Sequence, residues 1–376
     1  MDENKTIKLV DLTFVANTEF ADPHDVLHAQ QTSLAYIQYL DKDIFATVIK
    51  HWLKKISFVQ KNVLYCFFPS GNHFFNIPFN TYFFLWKHKP DAVIVQGLGN
   101  PWQLIWLRLV LGKQIKIIVQ HHGDQLWPNP KKIFQQWAGK LTDAWMFTSA
   151  GNAMPWIGHE MIRNTKQCYE VLEASAYMSA LSKTESRKKL GIDSVDVFLW
   201  VGRFNNNKDP LTVLNGFAGF LTDHPAASLY MIYQTEELLP DVKALLDKNA
   251  ALKKAVHLVG QIPHTALTDW YSAADFFISG SHSEGSGYAL IEAMACGCIP
   301  VVTDIPSFRK ITGDGRYGFL FTPGDADSLV KALAETGTIN RAAFSGEVLT
   351  HFQKELSFQK IGQDISSLIK KIIHNR

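Results

Sequence analysis

The sequence predicts an α/β protein made of two doubly wound, parallel-sheet domains. Three observations point there. Short β-branched and aromatic runs alternate with helical patterns from end to end. Most of those runs are continuously apolar rather than alternating, as in strands buried on both faces of a parallel sheet. The chain, at 376 residues, is also longer than one ordinary core accommodates, and two domains of roughly 150–200 residues are the natural division.

In chain order, strands are expected at 6–15, 62–68, 92–96, 116–120 and 144–148 in the first half. In the second they are expected at 197–201, 228–233, 255–259, 275–279, 299–303 and 319–321. Between the first two strands, FATVIKHWLKKI (45–56) has helical spacing. It places Phe45, Ile49, Trp52 and Ile56 on one stripe with Lys50, Lys54 and Lys55 beside it. This reads as a surface helix, or as one lying on an anionic membrane in front of a lipid-linked acceptor. A clearer helix starts at Asp209 as N-cap with Pro210 in the first turn, and carries Leu211, Leu214, Phe217 and Leu221 on one face. Another begins at Asp325 and presents Leu329 and Leu333. The polar stretch SALSKTESRKKLGIDS (179–194) separates the strand-rich halves, giving domains at 1–180 and 181–354.

Composition excludes several classes. The sequence is 47% hydrophobic and 19% charged, with a net charge of +2, so it is neither a disordered chain nor a strongly basic nucleic-acid binder. Four cysteines make no disulfide framework, and Cys296-x-Cys298 has no second pair to complete a zinc site. They read as buried thiols of a reducing compartment. The acidic opening MDENK runs straight into a strand, unlike a secretory signal. The most apolar region, 92–112, is interrupted by Gly97, Gly99, Pro101 and Arg108, too soon for a spanning helix. A cytoplasmic protein, soluble or peripheral at the inner membrane face, is expected. The tryptophans of the first half, Trp52, Trp86, Trp102, Trp106, Trp127, Trp137, Trp145 and Trp156, are assigned mainly to core packing.

Ligands of open α/β sheets bind beyond the carboxyl ends of strands, so three loops matter. VGRFNNNKDP (201–210) puts Arg203 and Lys208 at a strand end before a helix N-terminus, a fork and a point charge suited to a diphosphate. SEGSGYALIEAMACGCIPVV (283–302) places Glu284 before a Gly285-Ser286-Gly287 turn. A helix follows over Tyr288–Ala295, with Gly297 as its left-handed cap and Glu292 two turns in. The two carboxylates would bracket a ligand with an anionic centre and hydroxyl-rich arms, the shape of a nucleotide sugar. QHHGDQLWP (120–128) sets His121, His122 and Asp124 at the end of a first-half strand, able to orient a sugar or acceptor hydroxyl.

The spacing Glu284-x7-Glu292, with VGRFNNNK before it and TPGDADSLVKAL (322–333) after it, resembles retaining glycosyltransferases of family 4, which have the GT-B architecture. The resemblance covers about 195–335. It implies two Rossmann-like domains facing a cleft, and a last helix, 355–376, crossing back to the N-terminal lobe. It further implies transfer of a sugar from a nucleoside-diphosphate sugar to a carbohydrate or lipid-linked acceptor, without metal or other cofactor.

By the same resemblance, Arg203 and Lys208 hold the diphosphate and Glu292 the ribose. Glu284 meets the transferred sugar near the amides of Gly285, Ser286, Gly287 and Tyr288, and Gln261 and Ile262 meet the base. His122 is the functional histidine of the N-terminal lobe. One departure stands out: the family's Gly-Gly loop after the first strand is replaced by ANTEFADPHD (16–25). That supports a non-catalytic nucleotide-sugar-binding subunit as one alternative; a GT-B epimerase or phosphorylase, which shares the architecture, is the other.

Overall fold

The computed structural model describes residues 6–69 and 77–374. The chain divides into two compact units, one of Met1–Ala174 with Phe358–Arg376, the other of Ser175–Ser357.

The first unit carries eight strands: β1 (Ile7–Ala16), β2 (Ile44–Trp52), β3 (Ile56–Gln60), β4 (Val63–Pro69), β5 (Ala92–Gln96), β6 (Lys116–Gln120), β7 (Ala144–Phe147) and β8 (Cys168–Glu170). Their order is β3-β4-β2-β1-β5-β6-β7-β8, parallel except for the edge strand β3. The chain winds outward from β1 in one direction and from β5 in the other, so the switch point lies between these two strands. The continuous apolar runs do what their pattern predicts: Ala92–Val95 and Ile117–Val119 are buried on both faces.

The segment expected to be a helix at 45–56 is mostly strand β2, between β1 and β4. Its β-branched Ile44, Thr47, Val48 and Ile49 suit a pleated, buried surface better than a helix. Of the lysines read as its polar side, Lys50 is buried within the strand, while Lys54 and Lys55 are exposed just beyond its end. The membrane-surface helix read from this stretch is therefore absent. Strands β3 and β8, also unanticipated, are short edge strands.

The last helix, Phe358–His374, belongs to the first unit; residues 375–376 lie outside the described residues. It buries Phe358, Ile361, Ile365 and Ile369. At Gly362 an added Cβ would lie 2.7 Å from the carbonyl carbon of Tyr39, so glycine permits this close approach. Ser366 Oγ accepts from the Asp41 amide at 3.0 Å, and Lys370 pairs with Asp41 and Asp43.

The second unit has six parallel strands: β9 (Val197–Gly202), β10 (Ser228–Tyr233), β11 (Val256–Gly260), β12 (Phe276–Ser279), β13 (Ile299–Thr303) and β14 (Phe319–Phe321). Their order, β11-β10-β9-β12-β13-β14, has its switch point between β9 and β12. Asp209 caps the helix Pro210–Phe220 through Thr212 N at 3.1 Å, and Asp325 caps Ala326–Glu335 through Ser328 N at 2.9 Å. Phe217, Leu329 and Leu333 join Phe198, Trp200 and Phe276 in one core. Among the described residues, no helix is long and apolar enough to cross a membrane.

Candidate functional site

At the switch point of the second sheet, the loop after β9 meets the loop after β12. Close approach is possible because residue 280 is glycine: a Cβ there would lie 2.9 Å from Val213 Cγ2 and 3.0 Å from Asp209 O. Asn207 then joins the loops, donating to Ser283 O at 3.0 Å and accepting from Ser283 N at 3.1 Å. Lys208 and Glu284, 76 residues apart, form a partly buried ion pair between Nζ and Oε1. Glu284 O accepts from Ser307 Oγ at 2.9 Å. Arg203 stands exposed on the same loop and makes no ion pair among the described residues.

The glycine turn behaves as its composition requires. Gly287 has φ +65°, and a Cβ there would come 2.8 Å from Ile311 Cδ1. The helix Tyr288–Ala295 follows and ends before Gly297, at φ +80°. Ser286 is buried at the entry to this helix and Tyr288 is partly exposed.

Glu292 is buried, and both its oxygens are engaged. His264 Nε2 bonds Oε1 at 2.7 Å and Tyr271 Oη donates to Oε2 at 3.1 Å. The hydrogen bond to Glu292 holds the His264 pKa above its ordinary value against partial burial. Burial, reinforced by the Glu292 charge, holds the Tyr271 hydroxyl well above the usual phenol range and keeps it a donor. A carboxylate offers about four lone-pair sites, so Glu292 can still accept from a ligand. Gln261 and Ile262 lie in the loop between β11 and His264, which the histidine ties to the Glu292 helix. Sequence reasoning missed Asn207 and His264, although Asn207 lies inside the motif it singled out.

The first unit builds a different site at its own switch point. His122 follows β6; its Nδ1–H donates to Glu173 Oε1 at 2.5 Å and its Nε2–H to Gln96 Oε1 at 2.6 Å. Gln96 Nε2 in turn donates to Asp11 Oδ2 at 2.5 Å, which leaves its carbonyl to face the histidine. Both ring nitrogens thus meet acceptors, the arrangement of an imidazolium. Burial by itself would lower the His122 pKa. The Glu173 hydrogen bond and charge, helped by Asp124 and Asp11, outweigh it and hold the value above ordinary.

Behind Gln96, Asp11 also accepts from Tyr36 Oη at 2.8 Å and lies 3.7 Å from Lys50 Nζ, which donates to Thr13 Oγ1 at 2.6 Å. Asp124 Oδ2 accepts from the His122 amide at 3.2 Å, and Gly97 leaves room for that carboxylate, 3.2 Å from where a Cβ would stand. His121 turns the other way, between Phe147 and Trp156, and burial lowers its pKa.

In place of a Gly-Gly turn after β1, Asn17 pins the loop by donating to Val15 O and His51 O and accepting from Gln30 Nε2. Glu173, the direct partner of His122, was not anticipated; a single Glu in VLEASAY carries no signal of its own. Cys66, Cys296 and Cys298 are buried, with burial pushing the Cys296 thiol up to about 12, so they are packing groups rather than nucleophiles.

Residues 182–339 match the family described as Glycosyl transferases group 1. The lipopolysaccharide core biosynthesis mannosyltransferase LpsB of Rhizobium meliloti is 24% identical over 216 residues, 54% of this chain and 59% of that protein. The alpha-monoglucosyldiacylglycerol synthase of Streptococcus pneumoniae is 28% identical over 185 residues, 48% of this chain and 40% of that one. The chain thus spans less than two thirds of the length of these relatives.

Among solved structures, sucrose-phosphate synthase from Thermosynechococcus elongatus superposes with a TM-score of 0.69 at 15% identity. The match covers 98% of this chain and 100% of the other. Anabaena HepE in complex with UDP gives 0.68 at 14%, over 97% and 100%. These likenesses show the fold, which is GT-B as the motif implied. Motif, fold and family match converge on the second unit, whose residues 182–339 are similar to the group 1 glycosyltransferases.

Proposed function

We propose that this chain transfers a sugar from a nucleoside-diphosphate sugar to a hydroxyl acceptor, with retention at the anomeric carbon. The observation that carries the reading is the meeting of Lys208 and Glu284 at the switch point of the second sheet, beside the Tyr288–Ala295 helix that holds Glu292. In the reaction the departing diphosphate gains negative charge. Lys208, Arg203 and the amides of Gly285 to Tyr288 would stabilise that charge more strongly in the transition state than in the bound donor. A donor phosphate would draw Lys208 from Glu284 and let that carboxylate accept from hydroxyls of the transferred sugar. Glu292, already oriented by His264 and Tyr271, would accept from the ribose.

His122 takes a role its environment favours. An imidazolium is a poor base but a strong donor, so we assign its Nε2–H, once a ligand oxygen takes the place of Gln96 Oε1, to a sugar or acceptor oxygen and not to proton abstraction. Glu173, Gln96 and Asp11 then act through it as positioning residues. The reading makes no use of a membrane helix at 45–56, since that segment is mostly strand.

HepE was solved with UDP and with UDP-glucose, which makes uridine the first base to test. Purified protein is heated with UDP, GDP or ADP and their hexose conjugates. One nucleotide family should raise the melting temperature selectively, since a ligand at 100 times its Kd stabilises a fold by about 2.7 kcal/mol. With that donor and an acceptor pool, free nucleoside diphosphate should accumulate with a glycosylated product. Absence of any shift across all three bases would overturn the reading. Release of an altered nucleotide sugar without acceptor would replace it with epimerisation.

A further inference from the structure

The helices Phe79–His88, Pro101–Leu111, Lys132–Lys140 and Ala150–Gly158 cover one face of the first sheet. Their inner residues, among them Leu85, Leu104, Leu107, Ala138 and Trp156, join strands β1, β5 and β6 in a single core. The outer face is unlike an ordinary protein surface. Phe79, Phe83, Trp86, Trp106, Leu109 and Trp137 are each between 43% and 73% exposed. Phe79, Phe83 and Trp86 fall at i, i+4 and i+7 on one stripe of their helix, and the rings of Phe83 and Trp86 stack at 6.1 Å. Core packing, the expectation for these tryptophans, holds for Trp52, Trp145 and Trp156 but not for Trp86, Trp106 and Trp137.

Charge defines what this face would meet. The four helices contain no Asp or Glu, while Lys87 and Lys140 are exposed on them and Lys89 and Lys113 at their ends. Lys87 Nζ stands 4.5 Å from the centre of the Phe83 ring, an ammonium carried beside an aromatic wedge. Apolar side chains at interfacial depth, tryptophans among them, and lysines without acidic partners match an anionic lipid surface, where the rings enter the headgroup boundary and the ammonium groups meet phosphate. A soluble protein partner would not require the complete absence of acidic residues. The helices of the second unit differ: they carry Asp241, Asp247, Asp327 and Glu335, and among the described residues only Tyr288, at 38%, is an exposed large apolar residue on them.

We infer that this helix layer is a docking surface for an anionic bilayer. The inference is independent of the proposed chemistry and is read without donor or acceptor. The full chain is sedimented with vesicles of phosphatidylcholine alone and of phosphatidylcholine with phosphatidylglycerol. Binding should favour the anionic vesicles and weaken as salt rises. Replacing Trp86, Leu109 and Trp137 by Ser together should lower the partition about tenfold or more, as buried apolar area is lost. The pair Lys87→Glu and Lys140→Glu keeps the apolar surface and should abolish the preference for phosphatidylglycerol. Val195→Ser, an exposed position of the second unit, should change nothing.

Circular dichroism and the melting temperature establish that each variant is folded. Equal partition of parent and triple variant would overturn the inference, as would no sedimentation with either vesicle. So would a dimer of the parent that the triple variant loses while neither binds vesicles, which would make this face a self-association surface. A nucleotide-induced melting shift that persists through any of these outcomes leaves the proposed function standing on its own.

Discussion

The two units put polar residues at the same place in their sheets, the switch point, and make opposite environments there. In the second unit Lys208 and Glu284 sit on loops, partly open to water, in a pair that an incoming phosphate can separate. In the first unit Asp11, Lys50 and Glu173 are buried, and only the edge of His122 reaches solvent. An open pair suits a ligand that comes and goes. A closed network, expensive to disturb because any lost partner leaves a buried charge uncompensated, suits the fixed orientation of one group.

The largest effect expected from this contrast is at His122. His122→Ala should lower turnover by roughly 10²–10⁴-fold, in the range of losses when a positioned proton-bearing side chain is removed. Glu173→Gln should cost less at neutral pH and reveal the cause. Glu173 raises the His122 pKa, so the histidine stays charged to higher pH with the carboxylate than without it. If activity needs the imidazolium, kcat/KM falls as pH rises through that pKa. The fall should move to lower pH in Glu173→Gln and return in Glu173→Asp. An unmoved alkaline limb would reduce Glu173 to a structural role.

Next in size is Lys208. Lys208→Ala should reduce kcat by about 10²–10³-fold, comparable to losing one preorganised contact to a developing anion. Nucleotide affinity should respond less, because Arg203 and the helix amides remain. Tyr271→Phe tests the neighbouring carboxylate more cleanly than Glu292→Ala, which would strand the buried Tyr271 hydroxyl. The phenylalanine variant should stay folded and weaken the nucleotide-induced melting shift if the orientation of Glu292 matters. A shift equal to the parent's would remove Tyr271 from the donor site.

Legibility also differed between the units. Continuous apolar runs located Ala92–Gln96, Lys116–Gln120, Ser228–Tyr233, Ile299–Thr303 and Phe319–Phe321 to the residue. Strand β2 was hidden because Lys50 and His51 point into the interior, and a buried Lys mimics the polar stripe of a helix. Its partners Asp11, Thr13 and Thr81 lie at least 30 residues away in sequence. The loops of the second unit could be read because each follows its strand directly and turns on glycine. The pairing of Lys208 with Glu284, and the approach of His264 to Glu292, needed the sheet order. The same holds for Glu173, which reaches His122 only once β8 pairs with β7.

The smallest effect expected is on stability, at His51, the buried histidine whose surroundings contrast with those of His122. Its Nδ1–H donates to Thr13 O at 2.9 Å and its Nε2 accepts from Thr81 Oγ1 at 2.9 Å, so one nitrogen meets an acceptor and the other a donor. The ring is therefore held neutral. Burial lowers its pKa from 6.5 to about 4, with Lys50 adding repulsion and the Thr13 bond opposing.

The sign follows from which state takes up the proton first. As pH falls below 6.5 the unfolded chain protonates this histidine while the folded one does not, so stability is full above 6.5 and declines toward about 4. The gap amounts to at most ~3 kcal/mol. His88, His121, His257 and His351 also have lowered pKa values and add to the slope, so the informative quantity is a difference. His51→Gln keeps an amide donor and acceptor but cannot titrate. Melting temperatures of parent and variant should therefore converge as pH is lowered from 7 to about 4, with the parent losing more. Parallel curves would mean that His51 is charged in the fold, and the contrast between the two histidines would collapse.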